Sequence, residues 1–337
     1  MIRLPWFDYR TPTSVSEAAK ILAAEGPQAM LIAGGTDLVP NMKRRHQTPK
    51  TLVSLRRVPE LRKANGSLGA GLTLTEIVDS PRVRERYGAL WEAAAQIATP
   101  HLRNMGTLGG NLCLDTRCTY YNQSHEWRKA IDFCLKKDGE TCWVATASKR
   151  CVAASSTDSA PALIALGARA KLVSEREVRE IPLAELYRND GIDYLSRRSD
   201  EILTEVVLPD PAGWKSTYWK LRRRGSFDFP VLGVAAAVKF GKDQTVEEAR
   251  IALGAVASRP FLVDKAGAYL AGKKLTDEVI AEVAATVASR AKPMDNTDLD
   301  LYWRKEVVGA FTGYALKTLR GDDMRAARLR TARQALG

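Results

Sequence analysis

The chain has 337 residues, 45% hydrophobic and 27% charged, which is enough to bury a sizeable core and to divide into two or more domains. No apolar run approaches the ~18 residues of a membrane helix, and Met1-Ile2-Arg3-Leu4-Pro5-Trp6 lacks the basic start and apolar core of a secretory signal, so the expectation is a cytoplasmic protein without membrane association. The formal net charge of +12 is scattered, and its denser clusters (Lys43-Arg44-Arg45, Arg222-Arg223-Arg224, and the tail from Arg325 to Arg333) have no interleaved aromatics to stack bases, which points to solvated faces or acidic partners and away from nucleic acid.

Ser14 and Glu17 read as an S-x-x-E capping box that opens a short helix through Ala18, Ala19, Ile21, Leu22 and Ala23, closed by Gly26-Pro27. Residues 29–32 read as a strand that runs into Ala33-Gly34-Gly35-Thr36-Asp37-Leu38. After a basic stretch, 51–55 reads as the next strand. Gly69-Ala70-Gly71 lacks the third glycine of a dinucleotide fingerprint and is taken as structural, with 72–75 ending a strand and capping a helix. Helical patterns cover about 75–83 and 88–98, and a polar, glycine-bearing loop fills 99–111. Asp158-Ser159-Ala160-Pro161-Ala162 starts a short helix, strands are expected at 169–174 and 202–208, and Pro209-Asp210-Pro211 marks a domain boundary. Beyond it, 216–220, 231–239 and 249–255 alternate like antiparallel strands. Helices follow at 276–291, with Val279, Ile280, Val283 and Val287 on one face, and at about 300–319. The basic tail reads as a helix or a frayed end.

All five cysteines, Cys113, Cys118, Cys134, Cys142 and Cys151, follow directly on Leu108-Gly109-Gly110-Asn111. In a reducing compartment they read as metal ligands or core residues before disulfides. Four thiolates suit either a zinc ion or an iron–sulfur cluster, and the spacing C-x15-C-x7-C-x8-C lacks the C-x2-C pairs common to zinc ribbons and ferredoxins. Gly34-Gly35-Thr36 and Gly109-Gly110-Asn111 are turns able to direct successive backbone N–H groups at an anion, because glycine has no Cβ to block approach. Thr36, Asn104, Thr107 and Asn111 add neutral donors. Singly, each reads equally as an ordinary tight turn; together they suit the extended diphosphate of a dinucleotide.

Ala33-Gly34-Gly35-Thr36-Asp37-Leu38, followed by Arg103-Asn104-Met105-Gly106-Thr107-Leu108-Gly109-Gly110-Asn111, resembles the flavin-binding subunit of the molybdenum hydroxylases, the xanthine dehydrogenase and carbon monoxide dehydrogenase group. The resemblance implies an α+β fold: a two-part FAD-binding domain of the molybdenum-hydroxylase (PCMH-like) type over 1–211, divided at 58/59, with an Fe–S insertion at about 113–154. A C-terminal α+β domain with a small antiparallel sheet would occupy 212–337, including Tyr218-x-Lys220-x-x-x-Arg224 and Asp228. It further implies that FAD is held by Ile32, Ala33, Gly34, Gly35, Thr36, Asp37, Leu38, Thr99, His101, Asn104, Thr107, Leu108, Gly109, Gly110, Asn111, Asp158 and Lys220, with Arg223 and Arg224 as further candidates.

In most of that family the second glycine loop leads almost directly to the acidic helix start, whereas here roughly 40 residues intervene. The insertion is similar to that of the 4-hydroxybenzoyl-CoA reductases through Leu112-Cys113-Leu114-Asp115-Thr116-Arg117-Cys118-Thr119-Tyr120-Tyr121-Asn122-Gln123-Ser124. That similarity implies a [4Fe–4S] cluster on Cys118, Cys134, Cys142 and Cys151, with Cys113 packed beneath the flavin, His125 outside the ligand set, and Tyr120, Tyr121, Trp127 and Trp143 walling the cluster. The implied function is electron transfer from reduced ferredoxin, steered by the basic clusters, through [4Fe–4S] and FAD. A [2Fe–2S] subunit and a molybdopterin subunit would receive the electrons, in a dimer of heterotrimers that removes a phenolic hydroxyl from an aromatic acyl-CoA. No catalytic acid–base pair is expected on this chain. The alternatives are a xanthine dehydrogenase-like FAD subunit oxidising an N-heterocycle, and a stand-alone flavin enzyme with a structural zinc.

Overall fold

Short apolar runs pair into three sheets. The structure, a computed structural model, describes residues 3–225 and 227–333. In the first sheet β1 (Asp8–Arg10), β2 (Ala29–Ile32) and β3 (Thr51–Ser54) lie in the order β1-β3-β2, all parallel. Parallel neighbours need crossovers, supplied by helix Val15–Glu25 before β2 and helix Leu38–Lys43 before β3. Val15, Ala18, Ala19 and Leu22 form the buried stripe of the first helix and share a core with Val53 and Leu61. Ser14 caps that helix by accepting from the Glu17 N–H at 3.1 Å. The Glu17 carboxylate turns instead to the N–H and hydroxyl of Thr13, so the reciprocal half of the expected box is missing. A complete box forms at Thr73 and Glu76.

The second sheet is antiparallel, in the order β4-β7-β5-β6, from β4 (Leu68–Gly69), β5 (Arg169–Val173), β6 (Val178–Pro182) and β7 (Ile202–Val207). Helices Leu74–Asp79, Pro81–Arg86, Gly88–Ala95 and Ser159–Ala165 belong to the same unit. The single helix expected at 75–83 is broken because Pro81 has no N–H for the ladder, and Ser80 caps the new start by accepting from Val83.

The third sheet, β11-β10-β9-β8, is also antiparallel: β8 (Trp214–Leu221), β9 (Leu232–Phe240), β10 (Val246–Gly254) and β11 (Phe261–Leu262). Alternation gives it two apolar faces. Tyr218, Ala235, Ala237 and Ala252 join the core of the second unit, and the alanines let helix Ser159–Ala165 approach closely. Trp219, Val234, Ala236 and Val238 face helices Asp277–Arg290 and Leu301–Arg320. The tail forms helix Arg325–Arg333, which folds back so that Arg328 pairs with Glu92 at 2.8 Å and lies over Trp219; the side chain of Arg333 is outside the described residues. No helix among the described residues is long and apolar enough to cross a membrane.

Candidate functional site

A cavity of about 560 Å³ opens where the first and second units meet. A cavity of this size is of the order that small-molecule cofactors occupy. Its floor is the turn after β2. None of the backbone N–H groups of residues 34–38 has an acceptor among the described residues, so five successive amides are available to an oxygen-rich ligand. Gly35 takes a φ of +72°, and Gly34 lies so close to the second loop that a Cβ there would sit 1.9 Å from the Met105 carbonyl oxygen. The two glycine segments, distant in sequence, are therefore in backbone contact.

The second segment differs from expectation. Residues 99–111 are two short helices, Pro100–Arg103 and Leu108–Leu112, capped by Thr99 and Thr107. Their amides are consumed internally: Leu108 donates to Leu72, Gly109 to Ala70, Gly110 to Thr107 Oγ1 and Asn111 to the Thr107 carbonyl. The anion-binding role expected of this loop's N–H groups falls away, and what it presents is surface. Gly109 is needed for packing, since a Cβ would stand 2.7 Å from that of Ala70, whereas at Gly69 and Gly71 an added Cβ would meet the Leu61 carbonyl oxygen at 2.2 and 3.0 Å. Asn111 turns its Oδ1 to the Thr157 hydroxyl at 2.8 Å and the Ser159 N–H at 3.2 Å, tying this loop to the acidic helix start.

Asp158, which lines the cavity, is buried and fully engaged. Its Oδ1 accepts from the Tyr218 hydroxyl at 2.8 Å and its Oδ2 from Lys220 Nζ at 3.0 Å, while Lys220 also donates to the Gln96 carbonyl. Burial pushes the Asp158 carboxyl up and the Lys220 ammonium down, and each opposes the other's shift. The trio joins β8 to the second unit and gives the cavity a fixed back wall.

Cys118, Cys134, Cys142 and Cys151 line a second, smaller cavity. All four are buried and unpaired. Burial pushes the Cys118 thiol up and the Cys151 thiol up to about 12, opposed at Cys151 by the Ala153 N–H and by Lys136. Four buried thiols without disulfides need a cation to exist as thiolates. No three His, Cys, Asp or Glu side chains among the described residues are arranged to hold a single metal ion. Tyr120, Tyr121 and Trp143 line this cavity; Trp127 does not, and its ring is tilted against that of Tyr120 at 6.4 Å. His125 does not line it and packs against Phe133.

Residues 5–211 match the family described as the FAD binding domain in molybdopterin dehydrogenase, and 216–335 match the CO dehydrogenase flavoprotein C-terminal domain. The chain belongs to the FAD-binding subunits of the molybdenum hydroxylases. It is 33% identical, over 78% of its length and 86% of the relative's, to the aldehyde oxidoreductase FAD-binding subunit PaoB of Escherichia coli K12. To the carbon monoxide dehydrogenase medium chain of Hydrogenophaga pseudoflava it is 28% identical, over 93% and 96% of the two lengths. A solved carbon monoxide dehydrogenase from that organism superposes with a TM-score of 0.76 at 27% identity, covering 94% of this chain and 97% of that one. Quinoline 2-oxidoreductase from Pseudomonas putida 86 gives 0.73 at 25% identity, covering 99% and 100%.

Within this FAD-subunit fold, Ile32, Ala33, Gly34, Gly35, Thr36, Asp37, Leu38, Thr107, Gly109, Gly110, Asn111 and Asp158 line the large cavity. Thr99, His101, Asn104, Leu108 and Lys220 do not, each for a visible reason. Thr99 caps a helix, His101 is exposed, Asn104 accepts from Thr75, Leu108 is in the core, and Lys220 is spent on Asp158. Arg223 pairs with Asp298 and Arg224 with Asp228. Cys113 is half-buried and lines the cavity. Asp115, Arg117 and Lys136 belong to this region although no motif marks them. Arg117 is buried, pairs with Asp37, donates to Asn41 at 3.1 Å, and is lowered to about 10 by burial. The available signal was their position: charged residues inside a cysteine-bearing insertion that has to pack.

Proposed function

We propose that this chain is the electron-transfer subunit of a molybdenum enzyme akin to 4-hydroxybenzoyl-CoA reductase, carrying FAD in the large cavity and a [4Fe–4S] cluster on Cys118, Cys134, Cys142 and Cys151. The observation that carries this reading is the convergence of four buried, unpaired cysteines of one insertion on a single cavity beside the flavin cavity. A tetrahedral zinc site brings its sulfurs to about 3.8 Å of one another, given Zn–S bonds of ~2.3 Å. Four cysteine thiolates are equally the ligand set of a polynuclear iron–sulfur centre.

When bound, FAD exchanges one or two electrons and an iron–sulfur cluster exchanges one. The chain's own residues bind, orient and exclude water. The free amides of residues 34–38 hold the flavin's diphosphate, Asp158, locked by Tyr218 and Lys220, fixes the back wall, and Tyr120, Tyr121 and Trp143 shield the sulfurs. Reduced ferredoxin is the proposed donor, and a [2Fe–2S] subunit and a molybdopterin subunit the proposed partners. The reaction served is reductive removal of a phenolic hydroxyl from an aromatic acyl-CoA.

Anaerobic purification with assays for iron, zinc, acid-labile sulfide and flavin tests the reading. Iron and sulfide in equal amounts alongside FAD are expected. Zinc without iron refutes the cluster. Cys134→Ser and Cys142→Ser should lose iron and keep FAD, because no residue of the first loop belongs to the insertion.

A further inference from the structure

A buried ion pair lies between the two cavities. Asp115 lines the flavin cavity and Lys136 the cysteine cavity. Lys136 Nζ lies 2.8 Å from Asp115 Oδ1, and the two side chains are 6% and 4% exposed. Both ends are held in place. Lys136 also donates to Thr116 Oγ1 at 2.9 Å and to the Gly191 carbonyl at 2.5 Å, while Asp115 Oδ2 accepts from the Tyr121 hydroxyl at 2.8 Å and the Gln47 amide at 3.2 Å. The ring of Tyr121 flanks the ammonium at 4.7 Å. Stability alone does not account for such a pair, because apolar side chains of similar volume often serve as well or better.

We propose that the Lys136–Asp115 pair is a fixed dipole that sets the difference in reduction potential between the two redox centres, its positive end against the cysteine-held centre and its negative end against the flavin. The proposal rests on the functional reading above. A nearby positive charge favours the reduced form of a centre and a nearby negative charge disfavours it, and buried charges are poorly screened. The pair is neutral as a whole, so its field fades quickly with distance and acts on the centres at its two ends. An electron is thus retained more readily at the cysteine centre and released more readily by the flavin, which keeps what passes onward at low potential. Arg117, Arg128, Asp158 and Lys220, buried charges of the same region, are common to every variant and drop out of the comparison.

The test is potentiometric titration of the anaerobically purified chain, followed by visible and electron paramagnetic resonance spectra, for wild type, Lys136→Met, Lys136→Arg and Asp115→Asn. Lys136→Met should lower both potentials, most at the cysteine centre. Asp115→Asn should raise both, most at the flavin, and Lys136→Arg should stay near wild type. Both charge-removing variants therefore lower the potential of the cysteine centre relative to that of the flavin, through shifts of opposite sign that a loosened structural brace does not produce. Unchanged potentials, or shifts of one sign, in variants that retain their cofactors overturn the proposal. If a variant loses iron, the sign of its flavin shift still decides; if both charge-removing variants lose iron and flavin together, the pair is a structural brace and the proposal fails. A wild-type chain that contains flavin and no iron refutes the cluster reading, and the opposite flavin shifts remain to be read on their own.

Discussion

Replacing Gly34 with alanine probes the contact on which the flavin cavity depends. The added Cβ would lie 1.9 Å from the Met105 carbonyl oxygen and 2.5 Å from its carbon, whereas ordinary contact begins at 3.4 Å. Both partners are backbone, so no side chain can rotate away, and the two loops have to part by about 1.5 Å. Overpacking that forces backbone shifts costs typically ~1–3 kcal/mol. Both loops line the cavity, so much of that cost falls on the ligand-bound state, and FAD affinity should drop by about 10- to 100-fold at ~1.4 kcal/mol per decade. The assay is quenching of flavin fluorescence on titration into flavin-free protein, with thermal melts at zero and saturating FAD. Gly313→Ala is the control: it lies in helix Leu301–Arg320 with its nearest contact 3.9 Å away, and should stabilise by up to ~1 kcal/mol without altering affinity. An unchanged FAD affinity in Gly34→Ala refutes the claim that this contact shapes the site.

Gly191→Ala should deplete iron without touching a ligand, because its Cβ would stand 2.6 Å from Cys151 Sγ; iron and sulfide content measured against FAD content checks this, and full iron occupancy counts against the cysteine cavity as the binding site. His46 supplies a pH test. It is buried against Tyr121, both ring nitrogens lack partners, and burial together with Arg128 lowers it to about 4. The unfolded chain binds the proton near 6.5 and the folded chain does not until about 4, so His46's share of stability is complete above 6.5 and lost as pH falls towards 4. At full extent this is on the order of 3 kcal/mol. Urea denaturation at pH 7 and pH 4.5 should show a smaller acid loss in His46→Phe than in wild type, and equal losses remove the role given to His46.

Elements long enough to show a period were legible in the sequence, and most short ones were not. The helices Asp277–Arg290 and Leu301–Arg320 lie within a residue or so of expectation, because a 3.6-residue stripe persists along them, and the short strand Ala29–Ile32 was found by its unbroken apolar run between turn residues. Leu38–Lys43, Pro100–Arg103 and Leu108–Leu112 hold four to six residues each, with proline or glycine inside. Such pieces have no periodicity to read and exist because caps and neighbours hold them. The same limit governed the site. Gly34, Asn111 and Asp158 were found because their chemistry is local, whereas the spent amides of residues 108–111 and the engagement of Lys220 by Asp158 depend on partners far off in sequence.

The insertion is wedged into the fold, and this bears on how its contents communicate. Its own apolar core is small, with Cys118, Tyr121, Cys134, Cys151 and Ala153 as the buried members. Its fastening comes from outside. Arg117 reaches Asp37 and Asn41 in the first unit and Arg128 the Arg44 carbonyl; Lys136 reaches Gly191 in the second; Thr119 and Val152 bond to Asn296 and the Cys151 carbonyl to Ser258 in the C-terminal unit. Asp37 is also the last acidic residue of the loop whose amides face the flavin cavity. A centre that orders the cysteines therefore orders Arg117, and through it the first loop. Linkage makes the effect mutual: if the cysteine centre strengthens FAD binding, FAD strengthens retention of the centre by the same factor. Couplings of this kind are typically ~1–3 kcal/mol, enough to shift an affinity and too little to abolish binding at saturating FAD, which is why loss of iron and retention of flavin are compatible in the cysteine variants.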